Sequence, residues 1–253
     1  MLKKLVLLLA FFSCLSNAKP LSSGWELWYP YQYRNEDQKL VGLDFDIFNA
    51  IIAQAKLEVN YTEELPWKRH INYIKSGEVD LAMGASLTIQ RQEFAYFSAP
   101  YRVETVGLYV RKGMANKIKL SALKDLIKSP YLIGVEGGYF YGNEYQKLLS
   151  QPKFQTHISE VLDIEQNASL LLKGHIDGFL VDPVTLNAFV QKYNMQGEFE
   201  RHPLAIYSTN IHLMVSKKTN APDLINKLNN AISALQKNGQ LDSIIQHWTN
   251  AQP

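Results

Sequence analysis

The chain has 253 residues, 46% apolar and 20% charged, with 26 Lys and Arg against 24 Asp and Glu. That length exceeds what one core usually serves, so two lobes of roughly 100 residues each are expected. The near-balanced charge offers no footing for a nucleic-acid partner, and the composition excludes a disordered or repetitive chain.

At the N-terminus, Lys3 and Lys4 precede the apolar run "LVLLLAFF", and "SCLSNA" then ends on Ser16, Asn17 and Ala18. A positive flank, a short apolar stretch and small residues in that order predict an export signal over residues 1–18, cut after Ala18. The run falls far short of the ~20 residues that span a bilayer. A lipid anchor on Cys14 is the alternative, although "FFS" before it makes a poor lipobox. Cleavage after Ala18 would remove Lys3, Lys4 and the only cysteine, bringing basic and acidic residues to parity. Without a disulfide, the exported chain must rely on its core, and the bacterial periplasm is the expected compartment.

After the signal, "GWELWYPYQYRNEDQKLVG" reads as a strand, an aromatic turn and a polar hairpin. "LDFDIFNAIIAQA" places Phe45, Phe48 and Ile52 on one helical stripe, with Asp44 as the expected N-cap. "LEVNYTE" alternates as a half-buried strand, and "PWKRHINYIKSG" is a helix opened by Trp67 and stopped by Gly77. "EVDLAMGAS" is the next strand. This strand and helix alternation predicts a parallel α/β lobe with its ligand sites at the carboxyl ends of the strands.

A second unit begins at "TVGLYVRKG", followed by a helix "SALKDLIKS" with Ser121 as the expected cap, and by strand, Gly-Gly turn and helix in "YLIGVEGGYFYGNEYQKLL". In "ASLLLKGHIDGFLVDPVTLNAFVQKY", Gly174 and Asp177 stand where Gly77 and Asp80 stood in the first unit. "NIHLMVSKK" is a strand, and the last stretch is two helices broken at Gly239 that are expected to pack on the first lobe. Two crossings between lobes would make a hinge with a cleft between them. The predicted organisation is lobe 1 over residues 19–104 and 208–253, and lobe 2 over 105–207.

The landmarks "WYPYQY", "LVGLDFDIFNAI", "PWKRHINYIKSGEVDLAMGASLTIQRQEFAYFSAPY", "VGLYVRKG", "GHIDGFLVD" and "LNNAISALQKNGQLDSIIQHW", in this order and spacing, resemble the periplasmic solute-binding proteins of the polar amino acid type, extracellular solute-binding family 3. The resemblance covers roughly Gly24 to Asn250. It implies a two-lobed periplasmic-binding-protein fold of type II, each lobe a mostly parallel sheet flanked by helices, with two hinge crossings. It also implies a small-molecule ligand delivered to a membrane ABC permease, with no cofactor and no metal. By the same resemblance Arg91 looks like the arginine that forks onto a ligand carboxylate, beside Gly84 and Ser86, with the Ser86 hydroxyl and backbone as donors. Asp182 is similar to the acid that takes the ligand ammonium, and Trp28 and Trp67 to aromatic rings around the ligand.

The chemistry can be weighed without the family. A zwitterion needs a donor fork and an acceptor, because either charge left unpaired in a closed cleft is costly. Arginine suits the fork, since its planar guanidinium can donate two parallel bonds. A surface pair with Glu93 is the plainer reading of Arg91. Asp182 in "VDPV" is equally explained as a helix N-cap with Pro at the first helical position, Trp67 as core filler and Trp28 as part of a packed edge with Tyr31 and Tyr33. Asp177 and Asp80 are read as structural.

The "VEGGYFYG" turn departs from the family, which usually carries Ser or Thr after the glycine, where this chain has Tyr139 and Phe140. The second lobe is therefore expected to wrap its ligand with rings instead of hydroxyl donors. Arg69 is read as part of a solvated helix face. The leading function is binding of an amino acid or related zwitterion by hinged closure, as a monomer. The alternatives are an enzyme on the same scaffold, such as a cyclohexadienyl dehydratase, with Glu26, Glu136 or His175 as general acid or base, and a ligand-sensing module for a membrane receptor.

Overall fold

A computed structural model describes residues 19–219 and 222–250; the expected export signal lies outside them. Its first half runs β1 (Leu21–Trp25), β2 (Tyr33–Arg34), β3 (Leu40–Val41), α1 (Leu43–Gln54), β4 (Val59–Glu64), α2 (Trp67–Ser76), β5 (Leu81–Ser86), α3 (Ile89–Gln92) and β6 (Ala95–Phe97). β7 (Arg102–Arg111) leads into the second half. There a 3-10 helix (Leu123–Lys128) is followed by β8 (Ile133–Glu136), α4 (Asn143–Leu149), α5 (Pro152–Gln155), β9 (Ile158–Val161), α6 (Ile164–Leu172), β10 (Gly178–Val181) and α7 (Pro183–Lys192). β11 (Phe199–Ser216) returns to the first half, which α8 (Pro222–Lys237) and α9 (Gln240–Asn250) complete.

Among the described residues one sheet runs in the order β4-β1-β5-β11-β7-β10-β8-β9, with β6 also on β11. The β1–β4, β1–β5, β8–β9 and β8–β10 pairs are parallel. Between the two parallel sets lie β7 and β11, paired antiparallel from Arg102–Ile211 to Arg111–Phe199. These long strands belong to both halves and are the two crossings, so the molecule has the two-lobed type II fold.

Matching turns close the two lobes. Gly77 and Gly174 end their helices at φ 84° and 76°, the left-handed region that glycine enters without steric cost. Three residues later Asp80 accepts from the backbone N–H of Ser22 at 2.8 Å, and Asp177 accepts from that of Leu132 at 2.8 Å. Each aspartate thus ties a helix exit to the start of the neighbouring parallel strand, a structural role in both lobes.

The core of the first lobe gathers Ile47, Phe48 and Ile51 of α1 with Leu81 and Met83 of β5 and with Leu228, Ile232 and Leu235 of α8, so the final helices do pack on this lobe. The second lobe buries Leu108, Val110, Leu126, Ile133 and Phe154. Two expected caps are corrected. Gly42 occupies the N-cap of α1, and Asp44 sits inside the first turn, fully buried, where it binds Arg102. Ser121 does not cap the next helix either: its backbone N–H and that of Ala122 both donate to the Asp125 carboxylate at 2.9 Å, and the segment winds as 3-10 helix.

Candidate ligand-binding site

A crevice lies between the lobes at the strand ends, drawn in to about 30 Å³ of free volume. Arg91, Ser86, Asp182, Trp67, Trp28, Gly84 and Tyr139 all line it. Arg91 is carried by α3, whose N-cap Thr88 accepts from the Arg91 backbone N–H at 3.1 Å. Its side chain is only 7% exposed and so makes no surface pair with Glu93. Nη1 donates to the Ser86 carbonyl at 2.9 Å, and Nη2 reaches across the crevice to the Gly138 carbonyl at 3.0 Å. The guanidinium carbon lies 5.4 Å from the centre of the Trp67 ring. Burial lowers the Arg91 pKa to about 10, against the opposing pull of Tyr207, Glu104 and Glu26, so the group stays charged at neutral pH. These two carbonyls use only part of the donor set of the guanidinium.

Ser86 serves Arg91 through its carbonyl, and its hydroxyl meets Tyr207. Asp182 is the N-cap of α7: its Oδ1 accepts from the backbone N–H of Val184 at 2.9 Å and of Thr185 at 3.0 Å, and also from the Tyr31 hydroxyl at 3.0 Å. Desolvation raises the Asp182 pKa, and these donors together with Arg102 pull it back. The capping role foreseen from "VDPV" is therefore formed, at a position that also faces the crevice.

Three rings frame the space. Trp28 lies 6.1 Å and Trp67 6.4 Å from Tyr139, both edge-on. Trp28 also donates through Nε1 to the Thr185 hydroxyl of the opposite lobe at 3.0 Å. The Tyr139 hydroxyl is engaged within the protein, bonding the Glu26 carboxyl. Gly84, at φ 76°, lets the chain pass close beneath Trp28; a Cβ there would lie 2.9 Å from the Trp28 ring.

The crevice is rich in carboxyls. Glu26 is buried and receives the Trp67 backbone N–H and the Tyr139 hydroxyl; desolvation and Glu136 nonetheless push its pKa well above the ordinary value. Glu104, in β7, is held at about 7 by burial despite the attraction of Arg102, with the Tyr207 hydroxyl 3.2 Å from its Oε2. Tyr207 also contacts the Phe140 carbonyl. Glu136 is pushed up to about 8 by burial and by Asp163, Glu165 and Glu104. Of the other residues considered from sequence, His175 and Arg69 are exposed and line no part of this crevice.

The sequence profile of the bacterial extracellular solute-binding proteins, family 3, matches residues 23–251. The chain belongs to that family. Among family 3 relatives, the ABC transporter arginine-binding protein 1 of Escherichia coli is 28% identical over 98% of this chain and 99% of its own length. The L-cystine-binding protein TcyJ of Escherichia coli is 24% identical over 88% of this chain and 79% of its own. Among solved structures, a histidine kinase sensor domain with similarity to periplasmic binding proteins superposes at TM-score 0.77 and 17% identity, covering 91% of this chain and 96% of that one, a likeness of fold alone.

Sequence reasoning did not place Glu104, Thr185, Tyr141 or Tyr207 in the crevice of this family 3 protein. Glu104 and Tyr207 sit on the crossing strands, two residues from pairing, since Val106 opposes Tyr207 and Glu104 opposes Thr209. Recognising β7 and β11 as the crossings was the available signal, because side chains at a hinge face the space between lobes.

Proposed function

We propose that this family 3 protein binds an amino acid or a related zwitterion in the periplasm, after loss of residues 1–18, and delivers it as a monomer to a membrane ABC permease. The observation that carries the reading is Arg91, buried at the crevice with one guanidinium nitrogen bonded to each lobe and further N–H groups facing the space. The relatives' names add support, since arginine and L-cystine are both amino acids. Lobe 1 comprises residues 19–104 and 208–253 and lobe 2 residues 105–207, hinged where Glu104–Thr209 and Val106–Tyr207 pair. Closing this hinge on a ligand that touches both lobes shifts the open and closed populations.

Calorimetry of the purified protein against the twenty amino acids tests the reading. Arg91→Ala is expected to weaken a ligand so found by 30-fold or more, the usual result of removing one member of a buried charge pair. Undiminished affinity in that variant refutes the assignment. We further infer a binder, not an enzyme. Because Glu104 and Glu136 hold pKa values of about 7 and about 8, suited to general acids, incubation of the complex followed by mass spectrometry is the decisive control. The ligand should be recovered unchanged.

A further inference from the structure

A second cavity lies apart from the crevice, with about 290 Å³ of free volume where the crevice has about 30 Å³. Leu43 at the start of α1 and Ile245 and Trp248 of α9 wall it from the first lobe, Val103 from the start of β7, and Val184 from the start of α7 in the second. Its lining is mainly apolar, and an apolar cavity of about 150 Å³ already takes a molecule the size of benzene, so this one has room for roughly ten non-hydrogen atoms or somewhat more. Among the described residues three side chains on its wall carry polar atoms: Tyr31, Arg102 and Trp248. Two of them are engaged elsewhere, the Tyr31 hydroxyl donating to Asp182 Oδ1 at 3.0 Å and Trp248 Nε1 to Asp46 Oδ2 at 2.8 Å. Arg102 turns Nε and Nη2 to Asp44, at 2.6 and 2.7 Å, and its Nη1 is buried with no partner among the described residues. A buried N–H left unmet is costly, and so marks a place where an acceptor belongs.

We propose that this cavity is a second ligand site, for a compact apolar molecule whose single uncharged oxygen acceptor, such as a ketone, ester or amide carbonyl, meets Arg102 Nη1. Water fits the place badly: an ordered water needs two or more polar partners, and the side chains here leave one. An anion is disfavoured, because Asp44 already neutralises Arg102, and Glu104 and Asp182 lie within its electrostatic reach. The site stands behind the bridges between the lobes. Tyr31 carries one of them to Asp182, and Val184 donates its backbone N–H to the same carboxylate. An occupant that touches both lobes binds one hinge angle better than others, and so biases the hinge from outside the crevice.

The test is a nitrogen–proton NMR titration of the full protein with acetophenone, a ring bearing one ketone oxygen, with isopropylbenzene, which has a methyl group in place of that oxygen, and with benzoate. The chain has four tryptophans, so the indole signals are few; that of Trp248 reports on the cavity and that of Trp67 on the crevice. The expected result is that both neutral probes shift Trp248 saturably and leave Trp67 in place, that acetophenone binds tenfold or more tighter than benzoate, and that Ile245→Phe, which fills the cavity, weakens both neutral probes at least tenfold. The double variant Asp44→Leu with Arg102→Met removes the buried pair as a unit, and in it the affinity of acetophenone relative to isopropylbenzene should fall fivefold or more. No saturable shift of Trp248, undiminished binding in Ile245→Phe, or a shift of Trp67 in its place overturns the site. Benzoate binding tightest, or a relative affinity unmoved in the double variant, overturns the ligand class and the role of Nη1. Where the double variant does not fold, the order of acetophenone and benzoate and the result with Ile245→Phe decide.

Discussion

Separating Asp44 from Arg102 tests how far the stability of the fold and the shape of the crevice rest on one interaction. The Asp44 side chain is 0% and that of Arg102 4% exposed, and the two carboxylate oxygens take Nε at 2.6 Å and Nη2 at 2.7 Å. The guanidinium carbon also stands 4.2 Å from the Tyr31 ring centre and 5.2 Å from that of Trp28. Asp44→Asn keeps the volume but leaves a buried cation without its counter-charge. Removing one member of a buried pair costs about 3–5 kcal/mol, against a total stability of roughly 5–15 kcal/mol. At ~2–4 °C per kcal/mol for a chain of this size, Tm should fall by roughly 6–20 °C. Circular dichroism during heating, with urea titration as a second measure, reads this directly. The double variant Asp44→Leu with Arg102→Met should recover most of the loss, because it removes both desolvated charges together. Ligand affinity in the double variant should stay low, because Trp28 and Tyr31 have lost the cation beneath them. A Tm for Asp44→Asn within 2 °C of the parent would show that burial and bidentate geometry mislead here.

Gly84→Ala forces a side chain into left-handed backbone at φ 76° and places its Cβ 2.9 Å from the Trp28 ring, so a loss of about 1–3 kcal/mol in urea denaturation and blue-shifted or quenched tryptophan emission are expected. His70 is 1% exposed, and burial lowers its pKa from 6.5 to about 4, partly opposed by the Leu81 carbonyl. A depressed histidine stays neutral in the fold, so its contribution is complete above pH 6.5 and is lost as pH falls toward 4, at ~1.4 kcal/mol per pH unit; the stability gap between parent and His70→Gln should shrink over that window, and a constant gap would refute the assignment. Asn167 is fully buried with no hydrogen-bond partner for its side-chain nitrogen or oxygen among the described residues, so Asn167→Ala should leave Tm unchanged or raise it, contrary to the usual effect of emptying a core position.

Local patterns carried the fold. The Gly-x-x-Asp turns at Gly77 and Gly174 were visible as a repeat because each depends on residues only three apart, and the structure gives both aspartates the same strand-start partner. Asp44 was misread for the opposite reason: a carboxylate near a helix start is ordinarily a cap, and the residue that claims it is Arg102, far along the chain. The seven candidate residues line one crevice because most lie at strand ends or loop exits, which a parallel sheet brings together. Glu104 was not found because within "RVETVGLYV" it looks like one polar position of an alternating strand; its burial comes from Tyr207 and Arg102, which only the assembled hinge brings beside it.

The contacts that hold the lobes together differ in kind from those that face the ligand. Direct bridges between the lobes include Trp28 to Thr185, Tyr31 to Asp182, Tyr139 to Glu26, Tyr207 to Ser86 and Glu104, Arg91 to the Gly138 carbonyl and the exposed pair Lys68 to Glu160. Only the last joins opposite charges, and an exposed pair of that kind contributes little in water. Set against these bridges is the mutual repulsion of Glu26, Glu136 and Glu104, which grows as the lobes approach and water leaves. Closure without ligand must therefore either protonate the glutamates or bear their repulsion, and both oppose the shut state near neutral pH. A ligand shifts such an equilibrium only by its differential affinity for the closed form.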